Sequence, residues 1–207
     1  MVDSRVRFVV VATVLAAAGV LVSACSFASP PLETPPIPTF TTSTTPPPVT
    51  RGKRPVPKAC ASVVSRQEVE IQVGKQLNGD SQEIVGVPEP SIGRTARLDC
   101  YYGIPAGKSR GSAAVMIGIA TYKDPQSAQE RLSSSVQAEQ GHGAKATDVK
   151  VGPDAGVLLS GGDGGTFTLV VTHGPTSVVI NAVHNLVPAS KMQAVLIKIA
   201  DRALAPH

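Results

Sequence analysis

Apolar and polar positions divide this chain into three regimes. Phe8 through Val22 form a run of 15 residues, apolar apart from Thr13 and Gly19. Residues 26–57 carry no apolar period. From residue 58 onward apolar positions recur at the spacings of helices and strands. Ser65-Arg66-Gln67-Glu68 fits a capping box, in which the Ser and Glu side chains satisfy each other's free amides. Val69, Val73 and Leu77 follow at i, i+4 and i+8, which predicts a helix ended by Asn78-Gly79. A weak strand is expected near 82–87. Residues 95–104 then alternate, with Ala96, Leu98, Cys100, Tyr102 and Ile104 on one face and Thr95, Arg97, Asp99, Tyr101 and Gly103 on the other.

A further strand is expected from Ala113 to Tyr122. Val115, Ile117 and Ile119 share one face, and the small residues Ala114, Gly118 and Ala120 share the other, where a helix would pack closely. Asp124-Pro125 is a helix start, because Asp caps and Pro suits the first helical position. Ala128, Leu132 and Val136 give that helix a thin stripe, and Gln140-Gly141 ends it. Strands are expected near 147–151, 155–160, 166–172 and 176–184, with turns at 160–165 and 173–176. A last helix begins near Ser190, with Met192, Val195, Leu196, Ile199 and Ala203 at helical spacing. The order is α-β-β-β-α-β-β-β-β-α. Short turns between successive strands imply antiparallel pairing. The expected fold is α+β in two layers, an antiparallel sheet with helices on one face.

The N-terminal regime has the parts of a secretory signal peptide. Arg5 and Arg7 precede the apolar run, and small residues follow it. The run falls short of the roughly 20 residues a spanning helix needs. Val22-Ser23-Ala24-Cys25 resembles the lipobox of bacterial lipoproteins, with Val22 where leucine is usual. The resemblance implies cleavage before Cys25, residues 1–24 being the signal peptide. It further implies a thioether-linked diacylglycerol and an amide-linked acyl chain on Cys25. Chains in that number hold a protein stably on a membrane, whereas one is marginal.

Residues 26–57 hold 10 of the 18 prolines, with a Thr/Ser tract from Thr39 to Thr45. Such a composition favours extended backbone and supplies too little apolar surface to offset ordering. Residues 25–57 are therefore expected to be a lipidated cysteine followed by a disordered tether. Residues 58–207 have the size of one ordinary extracytoplasmic domain. The net charge of +4 is uneven. Residues 1–57 contribute five basic against two acidic side chains, leaving the domain at +1. The domain thus has no basic excess, which with export argues against a nucleic-acid partner.

Exported proteins rarely keep free thiols. Cys60 and Cys100 can pair, pinning the first helix to the strand at 95–104 and leaving Cys25 as the odd cysteine. Two unpaired buried thiols are the alternative. No catalytic motif emerges. The segment Ser160 to Gly165 lacks the Lys-Ser/Thr ending of a phosphate loop and runs into a strand, so it reads as a turn. His142, His173, His184 and His207 show no metal-ligand spacing. Arg97 and Asp99 read as a solvated ion pair. Aromatics are few (Tyr101, Tyr102, Tyr122 and Phe167 in the domain), which disfavours stacking on sugars or single strands. No catalytic residue, metal site or cofactor is assigned.

The lipobox, Pro/Thr tether, a cysteine before a Ser-x-x-Glu helix and Leu98-Asp99-Cys100-Tyr101-Tyr102 together resemble mycobacterial and other actinobacterial membrane lipoproteins. These carry small disulfide-bearing domains of unknown function. The layout is more distantly similar to the extracellular sensor domains of mycobacterial serine/threonine kinases. The resemblance brings no active site with it. The expected function is a non-enzymatic module, lipid-anchored on the outer face of the cell membrane, that binds a small ligand or an envelope protein. An envelope carrier of a lipid-like molecule is the alternative, and would need a sizeable apolar cavity. A hydrolase would need at least two of His173, His184, Asp99 and Asp163 in one cleft.

Overall fold

The computed structural model of the protein describes residues 55–162 and 165–205. The expected signal peptide, Cys25 and the tether up to residue 54 lie outside the described residues, as does Asp163. The elements are α1 (Arg66–Val73), β1 (Asp80–Gly86), β2 (Arg94–Ile104), β3 (Val115–Tyr122), α2 (Pro125–Gly141), β4 (Ala144–Val151), β5 (Asp154–Gly161), β6 (Thr166–His173), β7 (Thr176–Val183) and α3 (Ala189–Leu204). Class and order are those expected from the sequence.

The seven strands make one antiparallel sheet in the order β1-β2-β3-β7-β6-β5-β4. Two meanders account for it. The first, β1-β2-β3, runs outward to inward. After β3 the chain turns back along α2 to the far edge, and β4-β5-β6-β7 returns until β7 lies beside β3. That junction is well specified, since Val115↔Ala182, Ile117↔Ile180 and Ile119↔Val178 pair apolar residues across it.

The helices do not share one face, and this corrects the two-layer expectation. In β5, β6 and β7 adjacent residues are buried in opposite directions. Leu158, Leu169, Val171, Val178 and Ile180 join α1 and α3 in the main core, with Val69, Met192, Leu196 and Ile199. Leu159 and Val170 join Leu132 of α2 in a second cluster on the other side. Side chains alternate across a strand, so α2 covers the face that α1 and α3 leave free. The result is a sheet between two unequal helical layers.

The main core is closed. Leu98, Ile117, Leu169, Ile180, Met192, Leu196 and Ile199 are essentially inaccessible to solvent. A disulfide joins Cys60 to Cys100, with their Cα atoms 5.6 Å apart. It ties the segment before α1 to β2, at a residue facing this core. Closing a loop with a sequence separation of 40 is worth about 4 kcal/mol in the chain-entropy account. The Ser65–Glu68 capping box forms as expected, and Arg202 of α3 reaches Glu68 at 2.6 Å. Helix α1 ends at Gly74, in the left-handed conformation at φ 75°, rather than at Asn78-Gly79. Leu77 is buried all the same. Its amide donates to Glu70 Oε1 at 3.0 Å, and its carbonyl accepts from Arg66. Side chains of α1 thus hold a residue that the helical period had claimed.

Candidate functional site

On the second face of the sheet, two hollows border α2. Helix α2 is held to this face sparsely: Ser127, Ala128 and Leu132 are its buried residues. Asp124 caps it, accepting from the Ser127 amide at 2.6 Å, and that bond holds the exposed Asp124 carboxyl below its ordinary pKa. Near this end the packing is close, with Ala128 against Ala120 and Tyr122. Further along, helix and sheet part. A cleft of about 180 Å³ opens, floored by Met116, Gly118 and Ala120 of β3, Ser177, Val179 and Asn181 of β7, and Thr168 and Val170 of β6. Arg131, Leu132, Ser135 and Glu139 of α2 form its roof, and Arg97 of β2 stands at its side. The small residues of β3 therefore let α2 pack closely at Ala128, and Gly118 and Ala120 both floor the hollow beside that contact.

Gly118 is required where it stands. A Cβ there would lie 2.8 Å from Asp99 Oδ1, so the glycine leaves room for that carboxylate against the strand. Asp99 is 7% exposed and accepts from Arg97 Nε through both oxygens, at 2.9 and 2.7 Å. The expected solvated ion pair is therefore a half-buried one, because α2 roofs the face that sequence alone left outward. Burial works against the Arg97 charge, yet Asp99's hydrogen bond and charge hold its pKa above the ordinary value. The pair fixes the guanidinium beside the cleft.

Of the buried side-chain polar atoms among the described residues, two lack a hydrogen-bond partner: Arg94 Nε and Asn181 Oδ1. The second lines the cleft. Leaving a buried acceptor unmatched costs about 1–3 kcal/mol, so such an atom asks for a donor. Beyond Leu132, on the other flank of α2, lies a wider and more open groove of about 800 Å³, lined by Gln129, Asp148, Val149, Lys150, Ala155, Gly156, Val157 and Thr172. Leu132 borders both hollows.

Of the sequence candidates for hydrolysis, the three among the described residues, Asp99, His173 and His184, do not meet. His173 Nδ1 lies 2.7 Å from Asp154 Oδ1 at the β6–β7 turn. His184 follows the opposite end of β7, a strand of eight residues or about 26 Å. Asp99 faces mid-strand at Gly118, away from both. Among the described residues no group of three or more His, Cys, Asp or Glu side chains is placed to hold a metal, and no helix is long and apolar enough to cross a membrane. Residues that sequence reasoning missed are Asn181, Arg131 and Glu139. Their signal was slight, namely that Arg131, Ser135 and Glu139 share a helical face beside the Ala128–Leu132–Val136 stripe.

No family model matches the chain, and no curated protein matches it. Among solved structures, the fold is similar to the extracellular domain of PknH from Mycobacterium tuberculosis. The TM-score is 0.46 at 12% sequence identity, over 69% of this chain and 93% of that one. That is a distant structural similarity to the extracellular domain of a mycobacterial kinase.

Proposed function

We propose that the protein is a lipid-anchored, non-enzymatic binding module of the cell envelope, displayed on the outer face of the membrane, with its ligand seat in the cleft beneath α2. The observation that carries the reading is Asn181 Oδ1, a buried acceptor without a partner at the wall of a hollow. A concave, half-apolar space with a few polar groups in its wall is the usual form of a ligand site, and this acceptor is one that the protein itself leaves unmatched. The anchoring rests on the residues Val22-Ser23-Ala24-Cys25, and on the Cys60–Cys100 bond that leaves Cys25 unpaired within the sequence. The cleft is too small for a long acyl chain, which weighs against the lipid carrier. Carriage would have to use the wider groove beyond Leu132.

Native mass spectrometry of the exported protein tests the reading, run beside Ser135→Phe, which places a ring in the cleft from the half-exposed side of α2. A bound species in the parent that is missing in the variant supports the cleft. Equal loading of both proteins would place the ligand elsewhere. For the anchor, Cys25→Ala should abolish acyl labelling in a lipoprotein-processing host. Persistent labelling would remove the lipobox reading.

A further inference from the structure

Two charged residues of opposite sign line the same cleft from one helix. Arg131 and Glu139 are eight residues apart in α2, with Ser135 between them at i+4, so all three lie on one face. Eight residues of helix rise about 12 Å. That is too far for the two to pair with each other, and neither forms an ion pair with another of the described residues. Arg97, the cation that lines the cleft from the sheet side, is already paired with Asp99.

Glu139 also stands where a helix does not favour it. It lies in the last turn of α2, where the exposed carbonyls make a carboxylate unfavourable, and that turn holds no basic residue. The orphan acceptor is placed toward the same end. Helix α2 starts beside Tyr122 and Lys123 and finishes beside the start of β4, so it runs back over β3. Asn181 pairs with Met116 and Thr168, in the row of the sheet near the first residues of β3. Glu139 thus supplies a carboxylate at the end of the hollow where the unmatched Asn181 amide sits in the wall, and Arg131 supplies a donor with positive charge toward the other. Met116, Val170, Val179 and Leu132 give an apolar middle.

We infer that the cleft takes a short peptide in extended form, its N-terminal ammonium toward Glu139 and Asn181 and its C-terminal carboxylate toward Arg131. The inference rests on the cleft being the ligand seat. Two or three residues match the space: an extended chain covers about 3.3–3.6 Å per residue, and three approach the separation of the two charges. Small apolar side chains suit the floor. An ammonium satisfies both an exposed carboxylate and a buried amide oxygen, which neither a hydroxyl nor a neutral amide does as well.

The test uses the exported protein and three probes of equal length: trialanine, N-acetyl-trialanine and trialanine amide, titrated by calorimetry and by amide chemical-shift mapping. Trialanine is expected to bind saturably, shifting residues of β3, β7 and α2. Each blocked probe should bind about tenfold more weakly. Glu139→Gln should erase the preference over the acetylated probe and keep the other. Arg131→Gln should erase the preference over the amide and keep the first. Equal affinity for the three probes, or no saturable binding of trialanine, overturns the peptide inference. The two levels of failure separate. Should native mass spectrometry find another ligand that Ser135→Phe excludes, the cleft stands and the peptide falls. Should trialanine bind Ser135→Phe as it binds the parent, the cleft itself is wrong.

Discussion

The two faces of the sheet are built from the same strands and hold their helices differently. On the disulfide face, α3 buries Met192, Val195, Leu196, Ile199, Ala200, Ala203 and Leu204 in its 16 residues. On the other face α2 is a residue longer and buries three, one of them a serine. The first face has a closed centre, clipped by Cys60–Cys100 and tied by the Arg202–Glu68 contact, with hollows only toward its edge by Leu77 and Val187. The second has a capped helix resting on Leu132, with hollows on both flanks. Stability and openness are therefore divided between faces, and a recognition surface can vary on one side without loosening the core on the other.

The largest effect should come from the disulfide. Cys60→Ala with Cys100→Ala should cost about 4 kcal/mol, read as a drop of about 10 °C in the melting midpoint. Little change would mean that the first face does not depend on its clip. Next is a matched pair of truncations. Leu196→Ala in α3 should cost about 3 kcal/mol by chemical denaturation, because it opens a cavity in a closed core. Leu132→Ala in α2 should cost about 2 kcal/mol or less, since its site already borders open space. Equal costs would break the contrast between the faces.

The smallest effect is expected from acid. Burial opposes the charge of Glu68, but bonds from Ser65 and Arg202 outweigh it and set its pKa below the ordinary carboxylate value. A carboxylate lowered in the folded state stabilises fully above its unfolded value, and that contribution is lost as pH falls through the folded one. Arg202→Gln should shrink this acid-side loss while leaving the neutral-pH binding of trialanine unchanged. An unaltered acid limb in pH-dependent melting would show that the α1–α3 contact contributes nothing.

The element order was legible because period-two alternation and helix caps are local signals. Ser65 and Asp124 announced the starts of α1 and α2, and Val115-Met116-Ile117-Gly118-Ile119 wrote one face of β3. The placement of α2 was not read, although a trace of it was present. Leu158-Leu159, Leu169-Val170-Val171 and Val178-Val179-Ile180 are consecutive apolar residues, and a strand that is apolar in both directions needs cover on both faces. Once α2 was assumed to share a face with α1 and α3, Asp99 had to look solvated. The disulfide followed from spacing and export. The cleft did not follow, because a hollow depends on how far a helix stands from a sheet, and Arg131 and Glu139 look like any charges on a solvated helix.

Cys60 is the sixth of the described residues, and its partner lies in β2, the second strand from one edge of the sheet. A pull applied from the N-terminal side therefore bypasses α1 and β1, and reaches β2 through a covalent bond. Those elements cannot be peeled away one at a time. In a single-molecule stretching experiment the segment between the two cysteines should stay locked. The released length should then be shorter by about 130–145 Å than under reducing conditions, at 3.3–3.6 Å for each residue of a 40-residue separation. The bond would act as a strain limiter, passing tension past α1 and β1 directly to β2.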